Sequence, residues 1–179
     1  ESNYDQQITN MTIFEDRAYF IFKNGLVYVQ SSEGGDLDLF LDISKKVFTE
    51  FPGMSQGLYS IAFNPSKNNF LVSYSNDDIA LVVEEYQLDK DFKPIISSGI
   101  ELLKISNNVK FHFGGSLIWS NYFQGFLFGI GDMRENIMPL VHSDALNTTS
   151  FKGKIILLKS ERSLYSPLIN EHGLFQSLD

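Results

Sequence analysis

Leu58-Tyr59-Ser60-Ile61-Ala62-Phe63, the polar stretch Asn64-Pro65-Ser66-Lys67-Asn68-Asn69, and Phe70-Leu71-Val72-Ser73-Tyr74 form the part of the sequence whose reading decides the fold. Two short runs rich in aromatic and β-branched residues flank a turn, which is the pattern of paired strands. Pro65 fixes its own φ and has no backbone N–H to give, so it belongs in the turn. Ser75-Asn76-Asp77-Asp78 then breaks the chain before a third apolar run, 79–88.

The same unit recurs on either side. Upstream lie Met11-Thr12-Ile13-Phe14, the turn Glu15-Asp16-Arg17, Ala18-Tyr19-Phe20-Ile21-Phe22, the turn Lys23-Asn24-Gly25, and Leu26-Val27-Tyr28-Val29. Asn24-Gly25 supplies the positive φ angles that a tight hairpin needs. Downstream come Ser116-Leu117-Ile118-Trp119, a turn over 120–124, and Gly125-Phe126-Leu127-Phe128-Gly129-Ile130. Further strands are predicted at 37–43, 100–105 and 154–159. No apolar stripe at i, i+3, i+4 runs long enough for a pair of helices.

A unit of about four strands recurring roughly every 50 residues is the signature of propeller blades. The fold class is therefore all-β, a partial β-propeller of about three four-stranded blades at roughly 1–55, 56–108 and 109–179. Propellers close with about four to eight blades, so three would leave open sheet faces. The remaining blades are expected in cis or on a second chain. The stretch 161–179 reads as a loop within a larger architecture, and Glu1 as a trimmed start.

Composition narrows the function classes. The 179 residues are 43% hydrophobic, ample for a packed core, and carry a net charge of −8 with no extended basic run. That charge argues against a nucleic-acid or anionic-membrane partner. Apolar runs such as Phe126-Leu127-Phe128-Gly129-Ile130 are far short of the ~20 residues of a membrane-spanning helix. With no cysteine, disulfides, thiolate metal sites and cysteine nucleophiles are excluded. Asn10-Met11-Thr12 and Asn147-Thr148-Thr149 have the form of glycosylation acceptors.

Several segments, taken in order, resemble the soluble quinoprotein glucose/sorbosone dehydrogenases, a family that includes hedgehog-interacting proteins. Phe40-Leu41-Asp42-Ile43-Ser44 looks like the segment after that family's first blade. Gly57-Leu58-Tyr59-Ser60-Ile61-Ala62-Phe63-Asn64-Pro65 resembles its GLLSLAFHP block, and Leu71-Val72-Ser73-Tyr74-Ser75 the strand that follows. His112-Phe113-Gly114-Gly115-Ser116-Leu117 is similar to HNGGxL, Phe128-Gly129-Ile130-Gly131-Asp132 to YIGxGD, and Gly153-Lys154-Ile155-Ile156-Leu157 to GKILRI.

The resemblance implies a six-bladed ring, of which this chain is the N-terminal half, and an extracellular or periplasmic setting. It implies pyrroloquinoline quinone and calcium as possible cofactors of the complete protein, with none expected for this chain alone. It carries the role of general base onto His112 and of its orienting carboxylate onto Asp132. The pairing is chemically sound, because a carboxylate behind an imidazole fixes its tautomer and stabilises the imidazolium.

The departures point the other way. The family's polar residue before GLL falls on Ser55, so Gln56, the candidate cofactor contact, stands one position late. Phe113 replaces an Asn, and Met133-Arg134 replace glycines. Two functions follow. One is a propeller kept as a scaffold that binds a protein or glycan partner. The other is a quinone-dependent aldose dehydrogenase with His112 as its base. The departures favour the scaffold.

The remaining candidates read as structure. Asp132 after Gly131 is also a common turn former. Gly114-Gly115 suits close backbone approach rather than phosphate binding, since no helix follows. His142 with Asp144, and Glu171 with His172, are two ligands each, too few for zinc. Asp36-Leu37-Asp38 and Asp77-Asp78 lack the oxygen spacing of a calcium loop. No metal site is expected. Trp119 is expected to pack between blades.

Overall fold

The computed structural model describes residues 7–31, 33–49, 55–66, 68–106, 111–133 and 149–159, together with the backbone of 165–167. Among the described residues twelve strands form three antiparallel sheets of four, each built in chain order. Blade 1 holds β1 (Ile8–Phe14), β2 (Arg17–Phe22), β3 (Leu26–Ser31) and β4 (Asp38–Asp42). Blade 2 holds β5 (Leu58–Asn64), β6 (Asn69–Ser75), β7 (Ala80–Leu88) and β8 (Pro94–Ser106). Blade 3 holds β9 (Gly114–Ser120), β10 (Gly125–Ile130), β11 (Ile155–Leu158) and β12 (Tyr165–Pro167). The chain is thus all-β, a partial β-propeller.

Three details differ from the sequence expectation. Arg17 opens β2 instead of closing a turn, because Glu15 and Asp16 alone make the reversal at φ 48° and 55°. That is the two-residue hairpin whose twist matches the strands it joins. β8 begins at Pro94, well before 100, with register shifts against β7. The expected loop after 161 contains β12, which pairs with β11 as Ile156 with Pro167 and Leu158 with Tyr165.

Alternation along each strand sends one set of side chains to each neighbouring blade. Between blades 1 and 2, Tyr19, Ile21 and Leu41 meet Ile61, Phe63 and Phe70 in one buried cluster. Phe14 stacks on Phe63 at 4.6 Å. Between blades 2 and 3, Ala62, Leu71 and Val83 meet Phe113, Leu117 and Phe128. Trp119 packs against that second cluster, edge-on to Phe126 at 4.9 Å. The first strands of the blades are also joined by polar contacts. Thr9 donates to the Leu58 carbonyl at 2.7 Å, the Asn10 amide to the Ser60 hydroxyl at 3.3 Å, and Ser60 meets the Leu117 backbone at 3.2–3.3 Å. Asn10 therefore serves the seam rather than standing free as an acceptor for a glycan; Asn147 lies outside the described residues.

One charged group sits inside blade 2. Glu84, 5% exposed, accepts from the hydroxyls of Tyr86 at 2.8 Å and Tyr74 at 3.2 Å and pairs with Lys46 at 2.5 Å. Lys46 lies beyond β4 on the connection between blades, so this cluster latches the connection to β7. Gly99 makes room for it, since a Cβ there would stand 2.8 Å from Glu84 Oε1 and from the Tyr86 ring.

Burial first, and the Glu84 carboxylate second, push the Tyr74 hydroxyl well above the ordinary tyrosine range; for Tyr86 burial again leads. A raised folded value contributes stability that is complete below the ordinary tyrosine range and lost as pH rises through the folded value. Urea titrations are therefore expected to show stability beginning to fall near about pH 10 and still falling at the highest pH reached. The Tyr74→Phe/Tyr86→Phe chain should show a flatter decline, and an equal slope in both proteins would remove this cluster from the pH response.

Candidate functional site

β1, β5 and β9 lie side by side and run in the same direction: Thr9 and Asn10 bond to Leu58 and Ser60 in that order, and Tyr59 and Ser60 meet Gly115 and Leu117 in that order. Gln56 and His112 precede β5 and β9, so both belong to the same end of the half-ring.

His112 and Asp132, twenty residues apart in sequence, meet there. His112 Nδ1 lies 3.0 Å from Asp132 Oδ1, and the side chains are 54% and 34% exposed. The backbone builds the contact. The Gly131 N–H donates to the Phe113 carbonyl at 2.8 Å and the Met133 N–H to the His112 carbonyl at 3.1 Å, locking the end of β10 onto the start of β9. Gly131 has to be glycine, since a Cβ would fall on the His112 carbonyl oxygen. His112 itself sits at φ 56°, a left-handed conformation uncommon for residues with a Cβ and held only where surroundings dictate it.

Phe113 and Met133, the two departures beside this pair, are buried at 0% and 4% exposure and belong to the core between blades 2 and 3. Phe113 stacks near Tyr59 at 6.0 Å, and the Tyr59 ring fills the space above Gly115, where a Cβ would be 2.6 Å from it. Ser73 donates to the Gly115 carbonyl. Gly114-Gly115 is accordingly a close-approach element, as its sequence suggests. Tyr59, Ser73 and Gly131 were not legible as parts of the site; only the glycine before Asp132 hinted at the last of them.

Gln56 does not join the pair. It is 1% exposed, in the seam where Leu58 N–H donates to the Lys23 carbonyl and Gly57 N–H to Ser75 Oγ. Neither atom of its side-chain amide has a hydrogen-bond partner among the described residues. A buried amide left unpaired costs about 1–3 kcal/mol, so near-isosteric Gln56→Met is expected to stabilise the chain by about that amount. Thermal unfolding checks this. A loss of stability would show that the amide has a partner in solution.

Among the described residues no three His, Cys, Asp or Glu side chains gather as a metal would require. Asp78 is engaged by Lys104 at 2.6 Å. His142, Asp144, Glu171 and His172 lie outside the described residues, as does Arg134. No helix among the described residues is long and apolar enough to cross a membrane. A separate groove of about 780 Å³ lies between β4 and the turn before β8, lined by Leu39, Phe40, Phe92 and Ile96 among others. It includes none of His112, Asp132 or Gln56.

No protein-family profile matches the sequence, and no curated protein matches it. Among solved structures, a glucose dehydrogenase matches at a TM-score of 0.65 and 14% identity, over 89% of this chain and 46% of that one. A nidogen/laminin complex matches at a TM-score of 0.49 and 10% identity, over 86% of this chain and 44% of that one. The chain thus spans about half the length of the glucose dehydrogenase it matches, and at that identity the likeness shows the propeller fold alone.

Proposed function

We propose that the chain is three consecutive blades of a six-bladed ring of the glucose/sorbosone dehydrogenase type, secreted or periplasmic, and that it works as a binding scaffold. Its ligand would meet the end of the ring where β1, β5 and β9 begin. The observation that carries this reading is the His112–Asp132 pair, presented to solvent at 3.0 Å on a backbone frame plugged by Phe113 and Met133. With Nδ1 on the carboxylate, Nε2 remains to meet a hydroxyl-bearing ligand, which favours a glycan over an apolar partner.

The test is a titration of the assembled protein with mono- and oligosaccharides, followed through the imidazole NMR signals. The chain has three histidines, so His112→Asn, which tolerates the left-handed backbone, assigns the signal. Saccharide-dependent shifts of that signal support the proposal. No shift with any saccharide, alongside capture of a protein partner through this face, would replace the glycan with a protein.

The same pair favours one alternative, a quinone-dependent aldose dehydrogenase in which His112 takes the hydroxyl proton and Asp132 holds its tautomer. The residues described do not make a cradle for pyrroloquinoline quinone. Gln56, the one candidate contact, is shut in the seam, and no acidic cluster for calcium is formed among the described residues. Dye reduction by the assembled protein with the quinone, calcium and a panel of aldoses decides between the readings. Turnover that disappears in His112→Asn would overturn the inert scaffold.

A further inference from the structure

The end of the sheets that carries His112 and Asp132 differs in charge from the opposite end. Where β1, β5 and β9 finish, the stretches Glu15-Asp16, Asp36-Leu37-Asp38 and Asp89-Lys90-Asp91 carry an excess of carboxylates. Where those strands begin, the described cations Lys23, Lys45, Lys46, Lys104, Lys152 and Lys154 outnumber the carboxylates Asp42, Asp77, Asp78 and Asp132. In a chain of net charge −8, the site's end is the local exception. A surface of one sign raises the local concentration of ligands of the other.

Two of those lysines share a backbone frame with the pair. The Gly153 N–H donates to the Gly131 carbonyl and the Ile130 N–H to the Lys154 carbonyl, both at 2.8 Å, so the segment before β11 lies along the end of β10. Gly131 and Met133 are in turn bonded to the segment before β9. Phe111-His112, Asp132 and Phe151-Lys152-Gly153-Lys154 therefore stand on three neighbouring loops tied backbone to backbone. The Lys154 ammonium donates to the Lys152 carbonyl at 3.1 Å, which keeps it over its own loop. Phe111 and Phe151, 37% and 38% exposed, add apolar ring surface. Asp132 brings one negative charge, directed at His112 Nδ1 at 3.0 Å, and the two ammonium groups outweigh it.

We propose that the ligand of this site is an acidic saccharide, one bearing a carboxylate or a sulfate. A sugar hydroxyl meets His112 Nε2, the apolar faces of the sugar rings lie against Phe111 and Phe151, and Lys152 and Lys154 take the anion. Aromatic surface with a few placed polar and charged groups is the general means of orienting a small ligand. This rests on the glycan reading above and names the class of glycan.

The test titrates the assembled protein with sodium D-glucuronate, D-glucose 6-sulfate, D-glucose and sodium acetate, following the His112 imidazole signal. The acidic sugars are expected to move it at roughly 2–30-fold lower concentration than glucose, the gain of two partly exposed ion pairs, and acetate is not expected to move it over the same range. The larger gain of the two identifies the anion as carboxylate or sulfate. The gain should shrink as salt rises from about 0.02 to about 1 M, where charges are screened within about 3 Å. Lys152→Gln/Lys154→Gln should remove it, whereas Lys90→Gln/Lys93→Gln, with the same net charge but at the opposite end of the sheets, should retain it. Because Lys154 is bonded within its loop, Lys152→Glu is measured beside the double variant and should remove the gain as well.

Equal responses to glucose and both acidic sugars, or a gain that survives in the Lys152 and Lys154 variants, would overturn the acidic class while leaving the glycan reading in place. A response to acetate equal to that of glucuronate would also overturn it, since the frame would then read charge without a sugar ring. No response to any sugar would remove the glycan reading and this inference with it.

Discussion

Gly131→Ala is expected to separate His112 from Asp132 and to abolish whatever the pair does. The new Cβ would fall on the His112 carbonyl oxygen, with the Gly114 backbone behind it, so a side-chain rotation cannot relieve the clash. The bonds from Gly131 to Phe113 and from Met133 to His112 must break or shift, and both bonds tie the end of β10 to the start of β9. Loss of two buried backbone hydrogen bonds and the strain of refitting them is expected to cost about 2–4 kcal/mol. Saccharide-dependent shifts of the His112 signal should fall below detection, whereas Asp132→Asn, which keeps the loop, should weaken them only in part. An unchanged His112 signal in Gly131→Ala would show that the frame does not position the imidazole.

Glu84→Leu is expected to destabilise blade 2 strongly. It leaves the hydroxyls of Tyr74 and Tyr86 without the acceptor they now share, and leaves Lys46 with the Tyr86 hydroxyl, at 3.1 Å, in place of a carboxylate. Each stranded buried hydroxyl costs about 1–3 kcal/mol. Lys46, with 45% of its side chain exposed, can turn to water, so its lost pairing adds little. The sum of about 2–6 kcal/mol corresponds to a drop in Tm of roughly 4–24 °C for a chain of this size. Adding Tyr74→Phe and Tyr86→Phe to Glu84→Leu removes the stranded hydroxyls and should recover part of the loss. No recovery would mean that packing of the Glu84 stem, not its hydrogen bonds, holds the connection between blades.

The strands next to the turns were legible because their signals are local. Alternating aromatic and β-branched residues, Asn24-Gly25 and Pro65 act over a few residues, and β10 appears over the six residues expected of it. The misplaced pieces depend on distant partners. β8 extends back to Pro94 through Gly99, whose missing side chain leaves room for Glu84 and Tyr86 on the neighbouring strand. β12 is three residues ending in proline, and only its pairing with β11 makes it a strand. The site shows the same division. His112 and Asp132 were found through the motifs they belong to, since nothing local joins residues twenty apart. The burial of Gln56 arises where blade 1 and blade 2 close on it, and a one-residue offset in a motif carries no information about that seam. Phe113 and Met133, read as departures from a catalytic pattern, are core residues in the fold.

The central claim is that Met11 and Ile13 lie one blade ahead of Ile61 and Phe63 in a repeating seam, and are covered once the ring closes. The rate of thiol modification at Ile13→Cys measures this directly, with Tyr122→Cys, whose position is 89% exposed, as the reference in a background without cysteine. In an assembly of closed-ring mass, Ile13→Cys is expected to react at least about tenfold more slowly than Tyr122→Cys, since modification must wait for the seam to open. Equal rates in that assembly would contradict the account.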